Sequence, residues 1–282
     1  MIGQSSRTAL ISAAHRAVHQ SIDAGRVFTD PLALRILGPE AQDFLDQARD
    51  DPFRLYWMVH FAGRSQYAEK KAEAAIANGV RQIVVLGAGY DTFPYRATDA
   101  DGLRLFEVDH PMTQEDKRKR LVAAGIDVPQ RVSFVAVDFE KESFAERLES
   151  EGFDPTRPAF FIWLGVIYYL TEDSGFEALR TVSAFPGEVE LVFDYVNTPL
   201  ENVSPEVLAM RESMLKRIAQ YGEPARNFIE TEAMHAALAR FGFVRIEDLA
   251  PMDIFTRFSG QLPPTLNPRH GWHFVHAHKP AI

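Results

Sequence analysis

The sequence predicts an α/β protein, a Rossmann-like seven-stranded sheet with helices on both faces and an N-terminal helical cap. Three observations predict it. Short β-branched runs alternate with helical stretches from residue 81 onward, the first run ends in a glycine turn, and the next two end in acidic residues.

From Ser5 to Gly79 the pattern is helical, and Asp30-Pro31 and Asp51-Pro52 each read as an N-cap residue followed by proline at the first helical position. At Arg81 the pattern changes: QIVVLG is a short β-branched run ending in glycine, the mark of a buried parallel strand. Strand 103–108 (LRLFEV), a helix from Pro111 to about Ala124, strand 132–137 (VSFVAV), a helix near 141–150 and strand 159–164 (AFFIWL) continue the alternation. A helix at 172–184, strand 189–196 (VELVFDYV), helices at 204–220 and 231–240, and strands at 243–249 and 272–278 complete the sheet. The joining segment 250–271 is rich in proline and poor in helical periodicity, so no crossover helix is expected there and the closing strand is expected to be antiparallel. The expected organisation is one domain over residues 1–282, with 1–79 as cap and 80–282 as an α/β core.

Composition narrows the function. Hydrophobic residues make up 46% and charged residues 24% of the 282, which suits a folded soluble protein. A net charge of −9 argues against nucleic acid as a partner, because phosphate-backbone binding needs concentrated positive charge. The absence of cysteine excludes disulfides, thiolate nucleophiles and Cys-ligated zinc, and fits a reducing cytoplasm. The N-terminal residues, interrupted by Arg7, His15 and Arg16, lack a secretory signal pattern, and no stretch reaches the roughly 18 apolar residues of a membrane span.

The sharpest motif is VVLGAGYDT at 84–92, where a buried strand runs into Gly87, Ala88 and Gly89. Such a turn at the carboxyl edge of a parallel sheet is where doubly wound folds hold nucleotide-like ligands, although an ordinary βα turn has the same look. FEVDHP places Glu107 and Asp109 about 20 residues on, where an acid accepts from ribose hydroxyls. Asp109 is equally placed to cap the helix at Pro111. Thr92 stands where a dinucleotide fingerprint would carry its third glycine. VAVDF offers Asp138 and Phe139 to an adenine, with helix capping before KESF as the alternative for Asp138.

GRSQYAEK, QIVVLGAGYDT, FEVDHP, VAVDF and IWLGVIYYLT occur in the order and approximate spacing of the leucine carboxyl methyltransferase family and its bacterial relatives, which the chain resembles over roughly residues 5–200. The resemblance implies a class I methyltransferase sheet with S-adenosyl-L-methionine as cofactor, S-adenosyl-L-homocysteine as product, and transfer to oxygen, commonly a carboxylate. It implies that Arg64 pairs with the cofactor carboxylate and that the turn Gly87, Ala88, Gly89 holds the cofactor, with Gly87 beside its methionine moiety. Asp109 then holds the ribose, and Asp138 with Phe139 contacts adenine. Arg16 matches a basic residue of the family's cap. At Leu164, within the cofactor-binding set, the family usually has glutamate, and this departure weakens inference about the acceptor. Tyr168 and Tyr169 just beyond border the transfer site or belong to the core.

Other candidates remain open. Asp194 and Asn197 face the acceptor or serve a turn, and Phe255, Phe258, Leu262 and Leu266 either wall the acceptor site or form a buried linker. His15 with His19 and His276 with His278 have pairwise metal-ligand spacing but no evident third ligand, so no metal is expected. KRKR at 117–120 reads as a solvated helix face. No base is defined by the sequence, which favours an acceptor already ionised at neutral pH. The expected partner is a small hydrophobic metabolite, with a protein carboxylate as alternative. A nicotinamide-dependent oxidoreductase and a non-catalytic binding module are the rival classes.

Overall fold

A computed structural model describes residues 6–49, 51–139, 142–198, 203–220, 224–263 and 266–282; the parts of the expected elements and segments at 1–5, 50, 140–141, 199–202, 221–223 and 264–265 lie outside the described residues. Two compact units form, residues 1–154 and 155–282.

In the first unit, α1 (Arg7–Asp23) is capped by Ser6, whose hydroxyl accepts from the amide of Ala9 at 3.1 Å. Its apolar stripe, Leu10, Ala13, Ala14 and Ala17, recurs at helical spacing and packs in one core with Ala33, Ile36, Leu37, Tyr90 and Leu121. There follow α2 (Ala33–Leu37), α3 (Ala41–Arg49), α4 (Arg54–Met58), a π turn (Val59–Gly63) and α5 (Arg64–Ala77). The Asp-Pro pairs lead into their helices rather than start them. The Asp30 carboxylate accepts from the amide of Leu32 and that of Asp51 from Phe53, so helical backbone begins at Ala33 and Arg54.

The rest of this unit is β1 (Gln82–Leu86), α6 (Phe93–Arg96), β2 (Arg104–Asp109), α7 (Pro111–Ala123), β3 (Val132–Ala136) and α8 (Phe144–Ser150). All five residues of β1 are buried, as expected for a strand covered on both faces, and β1–β2 and β2–β3 pair in parallel.

The second unit holds β4 (Ala159–Trp163), a 3-10 turn (Ile167–Tyr169), α9 (Glu172–Ala184), β5 (Val189–Val196), α10 (Pro205–Ala219), α11 (Thr231–Arg240), β6 (Arg245–Leu249), α12 (Pro251–Phe258) and β7 (Trp272–Lys279). β4 and β5 are parallel, and β7 is antiparallel to both β5 and β6. Strand order is β3-β2-β1-β4-β5-β7-β6, the order and antiparallel insertion of a class I methyltransferase sheet.

The closing strand is antiparallel as expected, but the segment before it carries a helix that the sequence reading did not place. Residues 251–258 are helical, with proline in the first turn and the Asp253 carboxylate accepting from the amide of Ala250 at 3.1 Å. The signal was present in the sequence: Pro251, Ile254, Phe255 and Phe258 fall at i, i+3, i+4 and i+7, and these are the residues the helix buries. Phe255 and Phe258 from this helix are buried, with the Phe258 ring 6.2 Å from Phe274 of β7, while Leu262 is exposed. No described helix is long and apolar enough to cross a membrane.

Candidate active site

At the carboxyl edge of β1 the chain turns sharply: Gly87 and Gly89 have φ of 64° and 45°, a left-handed conformation that costs glycine least. The amides of Gly87 and Ala88 both donate to the carbonyl of Val108, which holds the turn against the end of β2. A Cβ on Gly89 would lie 2.9 Å from that of Ala9 on α1, so packing as well as φ selects glycine there.

Asp109 closes this turn from the last position of β2. One carboxylate oxygen accepts from the amide of Gly89 at 2.5 Å and the other from that of His110 at 2.6 Å. Burial raises its carboxyl above the usual value, and the two amides and nearby Lys117 and His110 pull it back. A carboxylate has about four acceptor positions, so each oxygen keeps capacity for a ligand hydroxyl. The helix that follows is capped by His110, whose Nδ1 accepts from the amide of Met112, not by Asp109.

At the end of β3, Asp138 and Phe139 are both partly buried. The Asp138 carboxylate lies 4.0 Å from His110 Nε2, and the Phe139 ring packs edge-on against Phe144 at 5.9 Å. Helix α8 starts at Phe144 with Ser143 in the cap position, so Asp138 is not its cap. His110 thus stands near both acids of the candidate site; its place in D-H-P was the signal available.

Arg64 is the first residue of α5, presented by the π turn before it, a local widening of the helix often found at functional positions. The side chain is buried. Its Nη1 lies 3.0 Å from His60 Nε2, its Nη2 donates to the Ser12 hydroxyl at 3.2 Å, and its guanidinium carbon sits 4.8 Å above the Phe61 ring. Burial, followed by the Arg64 and His15 charges, holds His60 well below its usual value, so Arg64 faces a neutral imidazole. His15 stacks on Phe61 at 4.7 Å, and His19 Nε2 accepts from the amides of Val27 and Phe28.

Arg16 is committed to the scaffold: its Nε donates to Asp30 at 2.9 Å and its Nη2 to the carbonyl of Tyr90 in the glycine turn at 2.8 Å. Thr92 is fully buried and donates to Asp30 at 2.6 Å, which gives this position a use that a third glycine would lose. Arg96 adds a fork onto Glu69. Burial raises the Asp30 carboxyl, but Arg16, Arg96 and Thr92 outweigh burial and leave it below its usual value.

The basic run on α7 is not simply a solvated face. Lys117 is buried with its Nζ 2.9 Å from Glu107, Tyr95 donates to the same carboxylate at 2.9 Å, and Arg118 lies over Phe134. Arg118 and Lys119 keep the expected exposed character, and Lys119 pairs with Glu115. Glu107 is therefore internal, and Asp109 is the acid left at the edge.

In the second unit, Leu164 is partly exposed just past β4. Asp194 is fully buried and accepts from the amide of Gly165 at 2.6 Å, which shapes the turn Leu164 occupies. Tyr168 and Tyr169 meet edge to face at 4.7 Å in the 3-10 turn, Tyr168 buried and Tyr169 partly so. Asn197 ties a turn, its amide group donating to the carbonyl of Arg269 and its oxygen accepting from the amide of Gly271. His276 pairs with Glu190 and His278 with Glu188, and no group of three or more metal-ligand side chains occurs among the described residues.

The strand order is that of the class I methyltransferase fold. The leucine carboxyl methyltransferase family model matches residues 9–183, and the chain belongs to that family. A Bacillus subtilis (strain 168) protein named "Putative S-adenosyl-L-methionine-dependent methyltransferase YktD" is 31% identical over 304 residues, covering 98% of each chain. A Mycolicibacterium gilvum protein similarly named without the final designation is 27% identical, covering 91% of this chain and 87% of its own. Among solved structures, a duf574 family protein from Streptomyces avermitilis shares the fold with a TM-score of 0.59 at 18% identity, covering 98% of both chains. The protein is an S-adenosylmethionine-dependent methyltransferase.

Proposed function

We propose that the enzyme transfers the methyl group to oxygen, on a carboxylate or hydroxyl of a small hydrophobic metabolite in the cytoplasm, and that a carboxylate is the better acceptor. Membership of a family described by carboxyl methylation supports this reading. The observation that carries the site assignment is Asp109, pinned by two backbone amides beside the glycine turn, with acceptor capacity left on both oxygens for a ribose diol.

When bound, the cofactor would supply an electrophilic sulfonium methyl, with S-adenosylhomocysteine as the leaving group. The residues' own contribution is to bind and orient. Asp109 accepts from the ribose, Asp138 and Phe139 receive the adenine, Arg64 offers its guanidinium to the methionine carboxylate, and the Gly87–Gly89 backbone allows close approach. A carboxylate acceptor arrives ionised and asks for position only.

Calorimetry with S-adenosylmethionine, S-adenosylhomocysteine and NAD, followed by a mass-spectrometric screen of hydrophobic acids and the corresponding alcohols, tests the proposal. Binding of the first two and methyl esters from the acids are expected. Methyl ethers alone would move the acceptor to hydroxyl, N- or S-methylated products would overturn oxygen transfer, and cofactor binding without turnover of any acceptor would favour a binding module.

A further inference from the structure

In the second unit, a polar ladder built from five elements ends in an arginine. Asp248 of β6 accepts from His235 Nε2 at 2.8 Å and from the Tyr195 hydroxyl at 2.9 Å, and its other oxygen meets His273 Nδ1 at 2.8 Å. The far nitrogen of His273 lies 3.1 Å from the Asn197 amide nitrogen. The Asn197 oxygen in turn lies 3.1 Å from His270 Nδ1, and His270 Nε2 lies 2.6 Å from Arg211 Nη1 on α10.

The proton positions on His270 follow from its neighbours. Nδ1 faces two acceptors, the Asn197 oxygen and the Thr198 carbonyl at 3.0 Å, so it carries the hydrogen. Nε2 then presents its lone pair and accepts from Arg211. Burial, followed by the Arg211 charge, pushes His270 down to about 4, which keeps the ring neutral at physiological pH. Arg211 therefore has a neutral partner.

The guanidinium carbon sits 4.6 Å above the Phe228 ring, and burial pushes the group down to about 10. No carboxylate lies within ion-pair distance of Arg211 among the described residues. A half-buried cation between an aromatic face and a neutral imidazole is an expensive arrangement for the free protein, and an arriving anion relieves it. The site also lies just past the carboxyl end of β5, the edge at which open parallel sheets bind ligands.

We propose that Arg211, backed by His270 and Phe228, is an anion subsite that anchors a carboxylate of the acceptor. The proposal rests on the carboxylate reading of the preceding subsection. A planar fork suits a carboxylate, and the phenyl face favours an apolar group carried beside it. When the acid takes the fork, the Nε2 lone pair of His270 is released toward the same site.

Octanoate and phenylacetate, each beside its uncharged amide, are the probes. They are titrated into the full-length protein while the His270 ring resonances, assigned with His270→Asn, are followed by NMR. The acids should shift the His270 ring and the amides should not. Arg211→Gln should weaken acid binding by roughly tenfold or more, and Arg211→Lys should restore part of it.

Thermal unfolding separates this from a structural role. Arg211→Gln should leave the melting temperature unchanged or higher, whereas a structural arginine would lower it. Equal binding of acids and amides, unchanged acid binding in Arg211→Gln, or no ring shift with either acid would each overturn the subsite. S-adenosylmethionine calorimetry on the same samples reports on the proposed methyltransferase site independently, so the two ideas fail separately.

Discussion

Buried charge is handled in opposite ways in the two units. In residues 1–154 it is cross-linked. Asp30 receives Arg16 and Thr92, Arg96 grips Glu69, and Lys117 meets Glu107, so that cations and acids close on one another around the glycine turn. In residues 155–282 a single acid, Asp248, serves two histidines and a tyrosine, and the ladder runs out at a cation whose contacts are a neutral ring and a phenyl face. The first pattern suits a cradle that must already be in shape when the ligand arrives. The second suits a place where the ligand supplies the missing charge.

The largest effect expected from breaking this contrast is on stability. Lys117→Met leaves Glu107 buried with only Tyr95 at its carboxylate among the contacts described above, and should cost about 3–5 kcal/mol in urea unfolding, against no loss for Arg211→Gln. Similar losses from both would dissolve the distinction between the units.

Next in size is the cofactor cradle. Arg64→Gln should weaken S-adenosylmethionine binding by roughly 10- to 100-fold while sparing adenosine, since a charge-assisted hydrogen bond contributes about 1.5–3 kcal/mol. Asp109→Asn should weaken both ligands. The new amide nitrogen would face the amide of Gly89 or of His110, donor against donor, so the turn itself loosens. Calorimetry with both ligands on both variants checks the split, and an equal loss of adenosine in Arg64→Gln would remove Arg64 from the carboxylate role.

How much of this was legible differs by kind of contact, for a physical reason. Continuous buried runs such as QIVVL and AFFIW announce strands because parallel pairing under two helical layers tolerates little else, and the glycine turn with Asp109 is compact in sequence. The partners of buried charges are not local. Lys117 looked solvated because its acid is on the preceding strand, and Thr92 looked like a missing glycine because Asp30 lies 62 residues earlier. Arg211 and His270 are 59 residues apart and belong to no motif, so only the folded chain brings them together. Leu164 departs from the family's usual glutamate, and nothing in its surroundings explains the change.

The smallest effect expected, and one that needs no ligand, is on the acid limb of stability. His270 titrates near 4 when folded against an ordinary value of 6.5, so between these the unfolded chain takes up the proton first and stability falls as the pH drops. Asp30 works lower. Its folded carboxyl lies below the ordinary 3.8, so its contribution is held above that value and is lost only as the pH falls through the folded one. His19 and His60 in the first unit are also depressed and add to the upper window, which is why the variant matters. His270→Asn should flatten part of the slope between about 6.5 and 4 in urea unfolding while leaving the loss below 3.8, to which Asp30 and Asp248 contribute, in place. An unchanged upper slope would mean that His270 accepts its proton as readily in the fold as outside it, and the neutral partner assigned to Arg211 would be gone.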